Sequence, residues 1–233
     1  MASVCFVVDT LTSFEIKNYM ILGNAAFRLG YDTYMLLSDT LSLSKNIVSG
    51  RCYKMTSEIT TGEGLEAGQV RELNSMEFCW VLSFGRRENF LDVIQMHWIA
   101  SKSTTYINSP QSLMFLNNKY VVPLLCETYP ATYASSDFEF LWEAYTAASI
   151  SKWVVKPPAG SLGRDVFILQ KGDINARSIL QTMTDHAKTK YCLLQEYVPG
   201  ILNGEKRVIM VGEEIICWYI PIAIENANIE YLH

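Results

Sequence analysis

The sequence predicts two parts in series: an α/β unit on a parallel sheet, then an α+β unit on antiparallel hairpins. Three observations predict it. Val4-Cys5-Phe6-Val7-Val8 and Tyr34 to Leu37 are short apolar runs flanking a helical stretch, and strand–helix–strand with short connections requires parallel pairing. Phe78 to Phe84 and Thr104 to Ile107 repeat that alternation around a second helical stretch. Beyond Trp153 the apolar runs come in close pairs separated by glycine-containing turns, the mark of hairpins.

Taken in order, the first run ends at Asp9 and is continuous enough to be buried on both faces. Ile16, Tyr19, Met20, Ala26, Phe27 and Leu29 then recur at helical spacing, with Ser13 as the expected N-cap and Gly30 as the C-cap. The carboxyl ends of the strands, near Asp9 and Ser38, form the expected ligand side of the sheet. Residues 41–77 are polar and glycine-punctuated and predict a hairpin and loops. The strand from Phe78 runs into the charged loop Gly85-Arg86-Arg87-Glu88-Asn89, followed by a helix over Phe90 to Ala100. Asn108-Ser109-Pro110 stops the next strand and starts a helix over Gln111 to Asn118, with Ser109 as its N-cap. Val121 to Cys126 predicts a strand-like connection. In the second part, a helix over Leu141 to Ser149 precedes the strand Trp153-Val154-Val155-Lys156-Pro157 and its return strand Val166 to Leu169. A helix over Ile174 to His186, a strand over Tyr191 to Gln195 and a hairpin of Lys206 to Val211 with Glu214 to Tyr219 complete the order.

The 233 residues are 49% apolar and 18% charged, enough to form a buried core rather than a disordered chain. A net charge of −5 excludes a dedicated nucleic-acid binder, which needs clustered Lys and Arg. No run approaches the ~20 apolar residues of a membrane span. The N-terminus has no basic region before its apolar run, so no signal peptide is expected. The six cysteines form no C-x2-C pair, which argues against zinc. Cys5, Cys79, Cys192 and Cys217 fall in apolar strands, as reduced cysteines of a cytoplasmic protein do.

Four clusters carry charge or small residues in patterns that suit chemistry. Lys156 at a strand end, followed by Ala159-Gly160-Ser161-Leu162-Gly163-Arg164, could hold polyphosphate; a hairpin turn is the plainer reading. Gln195-Glu196-Tyr197-Val198-Pro199 offers a strand edge to a flat base, and Glu205 and Arg207 could take ribose hydroxyls and phosphate; a solvated charge run is the plainer reading. Arg86 and Arg87 suit a substrate carboxylate, and could equally be a solvated loop. Asn118-Lys119 closes the third cluster, which begins at Asn108. His97, His186 and His233 are scattered and form no catalytic spacing.

In their order, these stretches resemble the bacterial glutathione synthetase branch of the ATP-grasp superfamily. The similar segments are Val4 to Asp9, Arg86-Arg87-Glu88-Asn89-Phe90, Ile107 to Leu113, Asn117-Asn118-Lys119, Val154-Val155-Lys156-Pro157, Gln195 to Pro199 and Gly204-Glu205-Lys206-Arg207-Val208. The resemblance implies a Rossmann-like pre-ATP-grasp domain over residues 1–118 and an ATP-grasp domain over 119–233. It implies an ATP- and Mg2+-dependent carboxylate–amine ligase that forms an amide or peptide bond through an acyl phosphate. By position, Lys119 and Lys156 match the two ATP-contacting lysines, and Gly160, Ser161 and Gly163 match the lid. Gln195, Glu196, Tyr197 and Val198 match the adenine-reading hinge, Glu205 the ribose-side acid and Arg207 an arginine facing the transferred phosphate. Arg86 and Arg87 fall where a small amino acid or peptide substrate is held. Two departures matter. The lid carries less glycine than the family's, and the sequence stops before the Asp and Glu-x-Asn set that holds Mg2+ in related ligases. The truncated domain then leaves Glu225, Asn228 and Glu230 as the local oxygen donors, a homodimer or second chain as the supplier of the missing part, or a nucleotide-binding relative that regulates without ligating.

Overall fold

A computed structural model of the protein describes residues 1–11, 17–60, 63–159, 163–186 and 189–220. The chain divides into two compact units, Met1–Asn117 and Asn118–His233.

In the first unit, β1 (Ser3–Val8) pairs in parallel with β2 (Asp32–Leu37), from Ser3 opposite Asp32 to Val8 opposite Leu37, and α1 (Lys17–Arg28) connects them. The continuous apolar run of β1 has a direct cause. Cys5 and Val7 bury into one core while Val4, Phe6 and Val8 bury into another on the opposite face. Gly30 closes α1 at φ 83°, where its N–H meets Phe27 O at 3.0 Å and the Tyr31 N–H meets Ala26 O at 3.2 Å. That pair of bonds satisfies carbonyls the helix leaves open, and the left-handed position favours glycine. The expected N-cap, Ser13, lies outside the described residues.

The stretch expected to hold a hairpin and loops is instead β3 (Ser42–Ser44), a 14-residue strand β4 (Ile47–Thr60), β5 (Glu63–Leu65) and β6 (Gln69–Glu72). Val48 and Cys52 of β4 bury into the Cys5 core, whereas Met55 and Ile59 bury into the Phe6 core. The strand changes its buried phase midway, so no single alternation is visible in its sequence. β7 (Phe78–Val81), α2 (Phe90–Ala100), β8 (Thr105–Ile107) and α3 (Pro110–Leu116) complete the unit. The strands run in the order β3-β4-β2-β1-β7-β8, with β5 and β6 on β4 and with β2, β1, β7 and β8 parallel. Ser109 caps α3 as expected, accepting from the Ser112 N–H at 3.1 Å. His97 is a core residue, fully buried, with Nδ1 2.9 Å from the Tyr106 hydroxyl.

The second unit opens with α4 (Val122–Leu125), where a strand-like connection was expected. Pro123 fits the first turn of a helix, and four apolar residues cannot by themselves distinguish helix from strand. β9 (Thr132–Ser135), α5 (Phe138–Ala147), β10 (Lys152–Lys156), β11 (Phe167–Gln170), α6 (Ala176–Met183) and β12 (Cys192–Glu196) follow. Their antiparallel sheet has the order β11-β10-β12-β9. α6 is shorter than the expected helix, ending with the Thr184 N–H on Leu180 O. β13 (Arg207–Val211) and β14 (Glu214–Tyr219) form a separate ribbon. The cysteines are all free. Cys217 on this ribbon is exposed, whereas Cys52, outside the expected apolar strands, is buried. Among the described residues no helix is long and apolar enough to cross a membrane.

Candidate functional site

The four-stranded sheet assigns alternate residues to opposite faces. Trp153, Val155, Leu169, Cys192 and Leu194 form one face and join Leu141, Tyr145 and Leu180 of α5 and α6 in a buried core. Lys156 and Gln195 alternate with them and occupy the other face, where Gln195 lies opposite Val154 on one side and Thr132 on the other.

A continuous hydrogen-bond chain runs across this second face. Lys156 Nζ donates to Gln195 Oε1 at 2.6 Å, Gln195 Nε2 donates to Thr132 Oγ1 at 2.7 Å, and Thr132 Oγ1 donates to Pro130 O at 2.8 Å. Burial and, after it, the charge of Lys119 hold the Lys156 ammonium below its ordinary pKa. Lys119 Nζ donates to Pro158 O at 3.1 Å, in the turn that follows Lys156, and the Tyr129 hydroxyl donates to Lys119 O at 3.4 Å. Two cations are therefore held close enough to repel, and among the described residues no carboxylate lies within 4.0 Å of Lys156 Nζ. Such a pair is stabilised by an added anion.

The end of β12 is tied down by its backbone. The Glu196 N–H donates to Ala131 O at 2.8 Å and the Tyr197 N–H to Lys152 O at 3.0 Å, while Glu196 Oε2 accepts from the Ala131 N–H at 3.4 Å. The Lys152 ammonium sits 3.8 Å from the Tyr197 ring centre, and Val198 is half-exposed where the chain turns. Glu205 Oε1 accepts from Arg207 Nε at 3.1 Å at the start of the ribbon. Gly160 and Ser161 lie outside the described residues; Gly163, beyond them, has φ 67° in open surroundings. The structure thus brings Lys119, Lys156 and Gln195 into one cluster, sets Glu196, Tyr197 and Val198 along the strand end, and pairs Glu205 with Arg207. Thr132 is the member of the cluster that the sequence reading missed. No local signal marks it, because its partner Gln195 lies 63 residues away in sequence.

Arg86 and Arg87 belong to the first unit and are exposed just past the carboxyl end of β7. That edge is shaped by two bonds, from the Leu82 and Ser83 N–H groups to Val7 O at 3.0 Å each. Burial pushes the Tyr19 phenol up, with Ser83 and Asp9 beside it. Gly85 has φ 66°, and a Cβ there would lie 2.5 Å from Ser38 Oγ, which is buried without a hydrogen-bond partner among the described residues. Asp9 and Ser38, the expected ligand side of the sheet, do stand at this edge.

For a divalent metal ion the donors are not gathered. Among the described residues no three His, Cys, Asp or Glu side chains form a set that could hold a metal ion, and Glu225, Asn228 and Glu230 lie outside them.

Known proteins share parts of this sequence and this fold. Residues 118–228 match the model of the prokaryotic glutathione synthetase ATP-grasp domain. The glutathione synthetase of Escherichia coli strain K12 is 34% identical over 116 residues, which are 48% of this chain and 35% of that enzyme. The glutathione synthetase of Ralstonia nicotianae is 24% identical over 216 residues, 90% of this chain and 65% of the relative. The chain thus spans about a third of the length of the first relative and about two thirds of the second. The crystal structure of a RimK domain ATP-grasp protein from Sphaerobacter thermophilus superposes with a TM-score of 0.58 at 15% identity, covering 93% of this chain and 72% of that one, a likeness of fold. Residues 118–228 are thus similar in sequence to the glutathione synthetase ATP-grasp domain, and the chain is similar in fold to an ATP-grasp protein.

Proposed function

We propose that the second unit binds ATP and that the protein acts as a carboxylate–amine ligase, joining an amino acid or small peptide through an amide bond. The observation that supports this reading is the Lys119–Lys156 pair, two mutually repelling cations that a polyphosphate would stabilise. Lys156 and Lys119 hold phosphate oxygens, the Glu196–Val198 edge receives the base and Glu205 the ribose. Arg207 offsets charge on the phosphoryl group in flight. A substrate carboxylate oxygen attacks the terminal phosphorus, the bond from that phosphorus to the bridging oxygen breaks, and ADP leaves. An amine then attacks the acyl carbon and releases phosphate. Arg86 and Arg87 are the groups suited to a second carboxylate on the substrate. Mg2+ accompanies ATP in the glutathione synthetase family; among the described residues no set of side chains could hold it.

Calorimetric titration with ATP tests the reading. The wild-type chain should bind, and Lys156→Ala should weaken binding roughly thirtyfold or more, the loss of a charge-assisted phosphate contact. Equal affinity in the two proteins would remove the phosphate site from Lys156. Amino-acid-dependent release of ADP then separates a ligase from a protein that binds nucleotide alone.

A further inference from the structure

The chain of bonds from Lys156 to Pro130 has a fixed polarity, set at one end by an ammonium that only donates and at the other by a carbonyl that only accepts. An ammonium only donates, so the Gln195 atom facing it at 2.6 Å is the amide oxygen. The amide nitrogen of Gln195 must then point the other way, at Thr132 Oγ1, 2.7 Å distant. That oxygen accepts, which leaves the single hydroxyl proton of Thr132 for Pro130 O at 2.8 Å. Each group has one role, and reversing any one of them places two donors face to face. Gln195 is buried and directly opposite Thr132 in the β12–β9 register, so water does not substitute easily for the hydroxyl. The side chain of Thr132, branched at Cβ, also has few rotamers in which to keep this contact.

We infer that Thr132 is a positioning residue for Lys156: through Gln195 it keeps an oxygen, rather than an NH2 group, against the lysine ammonium. The inference rests on the reading of Lys156 as the cation that meets phosphate. Lys156 faces two opposing influences, burial and the like charge of Lys119, and the Gln195 oxygen is the group that favours its charged form. Without the hydroxyl the Gln195 amide loses its anchor and can turn its NH2 toward the lysine. A phosphate ligand would then meet a lysine that is displaced and more readily neutralised.

The test titrates the Lys156 side chain by NMR in lysine-labelled protein, with the signal assigned by its loss in Lys156→Met. Thr132→Val removes the hydroxyl at constant shape and should lower the Lys156 midpoint by about one pH unit, the size of one charge-assisted hydrogen bond. Thr132→Ser keeps the hydroxyl and should restore it. ATP affinity near the wild-type midpoint should follow, falling roughly fivefold in Thr132→Val and within about twofold of wild type in Thr132→Ser. If Thr132→Val does not fold, Thr132→Ala makes the same deletion. In a Gln195→Met background, Thr132→Val should bring no further drop. An unchanged midpoint in Thr132→Val, an equal drop in Thr132→Ser, or a full second drop in the Gln195→Met background would each overturn the inference, the last two by showing that Thr132 acts through packing. The midpoint needs no nucleotide. If wild-type protein fails to bind ATP, the proposed function falls while the link from Thr132 to Lys156 is still decided.

Discussion

The two faces of the β11-β10-β12-β9 sheet are built from alternate residues of the same strands, yet they obey different rules. The Trp153 face is closed by α5 and α6 and carries Val155, Leu169 and Leu194 at zero exposure. The Lys156 face holds a row of polar groups whose bonds run sideways, from strand to strand, and ends in a charge that burial works against. One face is organised to exclude water and the other to hold a cation by hydrogen bonds. Stability should therefore respond to changes on the first face, and ligand binding to changes on the second.

The largest expected effect is on the closed face. Trp153→Ala should cost roughly 3–5 kcal/mol by chemical denaturation, with the lower end favoured because its buried Nε1–H has no partner among the described residues. A loss under about 1 kcal/mol would mean that this face is not the core. Intermediate in size is a pH effect on the Lys156 face. Because Lys156 is held below the ordinary lysine pKa, it loses its proton first as the solution becomes alkaline, and ATP affinity should fall by up to about tenfold per pH unit above its midpoint. The same shift acts on folding with the opposite sign. Between the depressed midpoint and about 10.4, the unfolded chain holds a proton that the folded chain has released, so this group's contribution to stability rises with pH. Lys119→Met removes the repulsion and should move the fall in affinity to higher pH, read from ATP titrations at stepwise higher pH. The smallest effect concerns the Arg207–Glu205 pair. It is solvent-exposed, at 41% and 56% of the two side chains, so the coupling between the two in a double-mutant cycle should be about 0.5 kcal/mol or less. If Arg207 faces phosphate, nucleotide turnover in Arg207→Ala should drop far more than that figure, and the contrast separates a charge kept for chemistry from one kept for folding.

This contrast also explains what could be read in advance. The strand of Trp153 to Lys156 alternates cleanly between a core and a charged face, and both its position and its lysine were legible. The β1-α1-β2 unit was legible because both its faces are buried and Gly30 marks the helix end. β4 was not, because it leaves one core for another and its buried residues change phase between Cys52 and Met55. Thr132 was hidden for a different reason. Its partner lies 63 residues away in sequence, and a hydroxyl acting by orienting an amide has no local pattern. Lys119 and Lys156 were found separately, but that the one charge acts on the other is a fact of three dimensions.

The β13–β14 ribbon has a kinetic consequence of its own. Among the described residues its strands pair with each other and with no other strand, and Met210, Val211, Ile215 and Trp218 remain exposed on it. A two-stranded ribbon is only marginally stable in isolation. Its amide hydrogens should therefore exchange with deuterium through brief local opening, long before those of β12, whose neighbours on both sides hold it until the unit unfolds as a whole. The second unit then keeps two clocks, one set by a ribbon and one by a core.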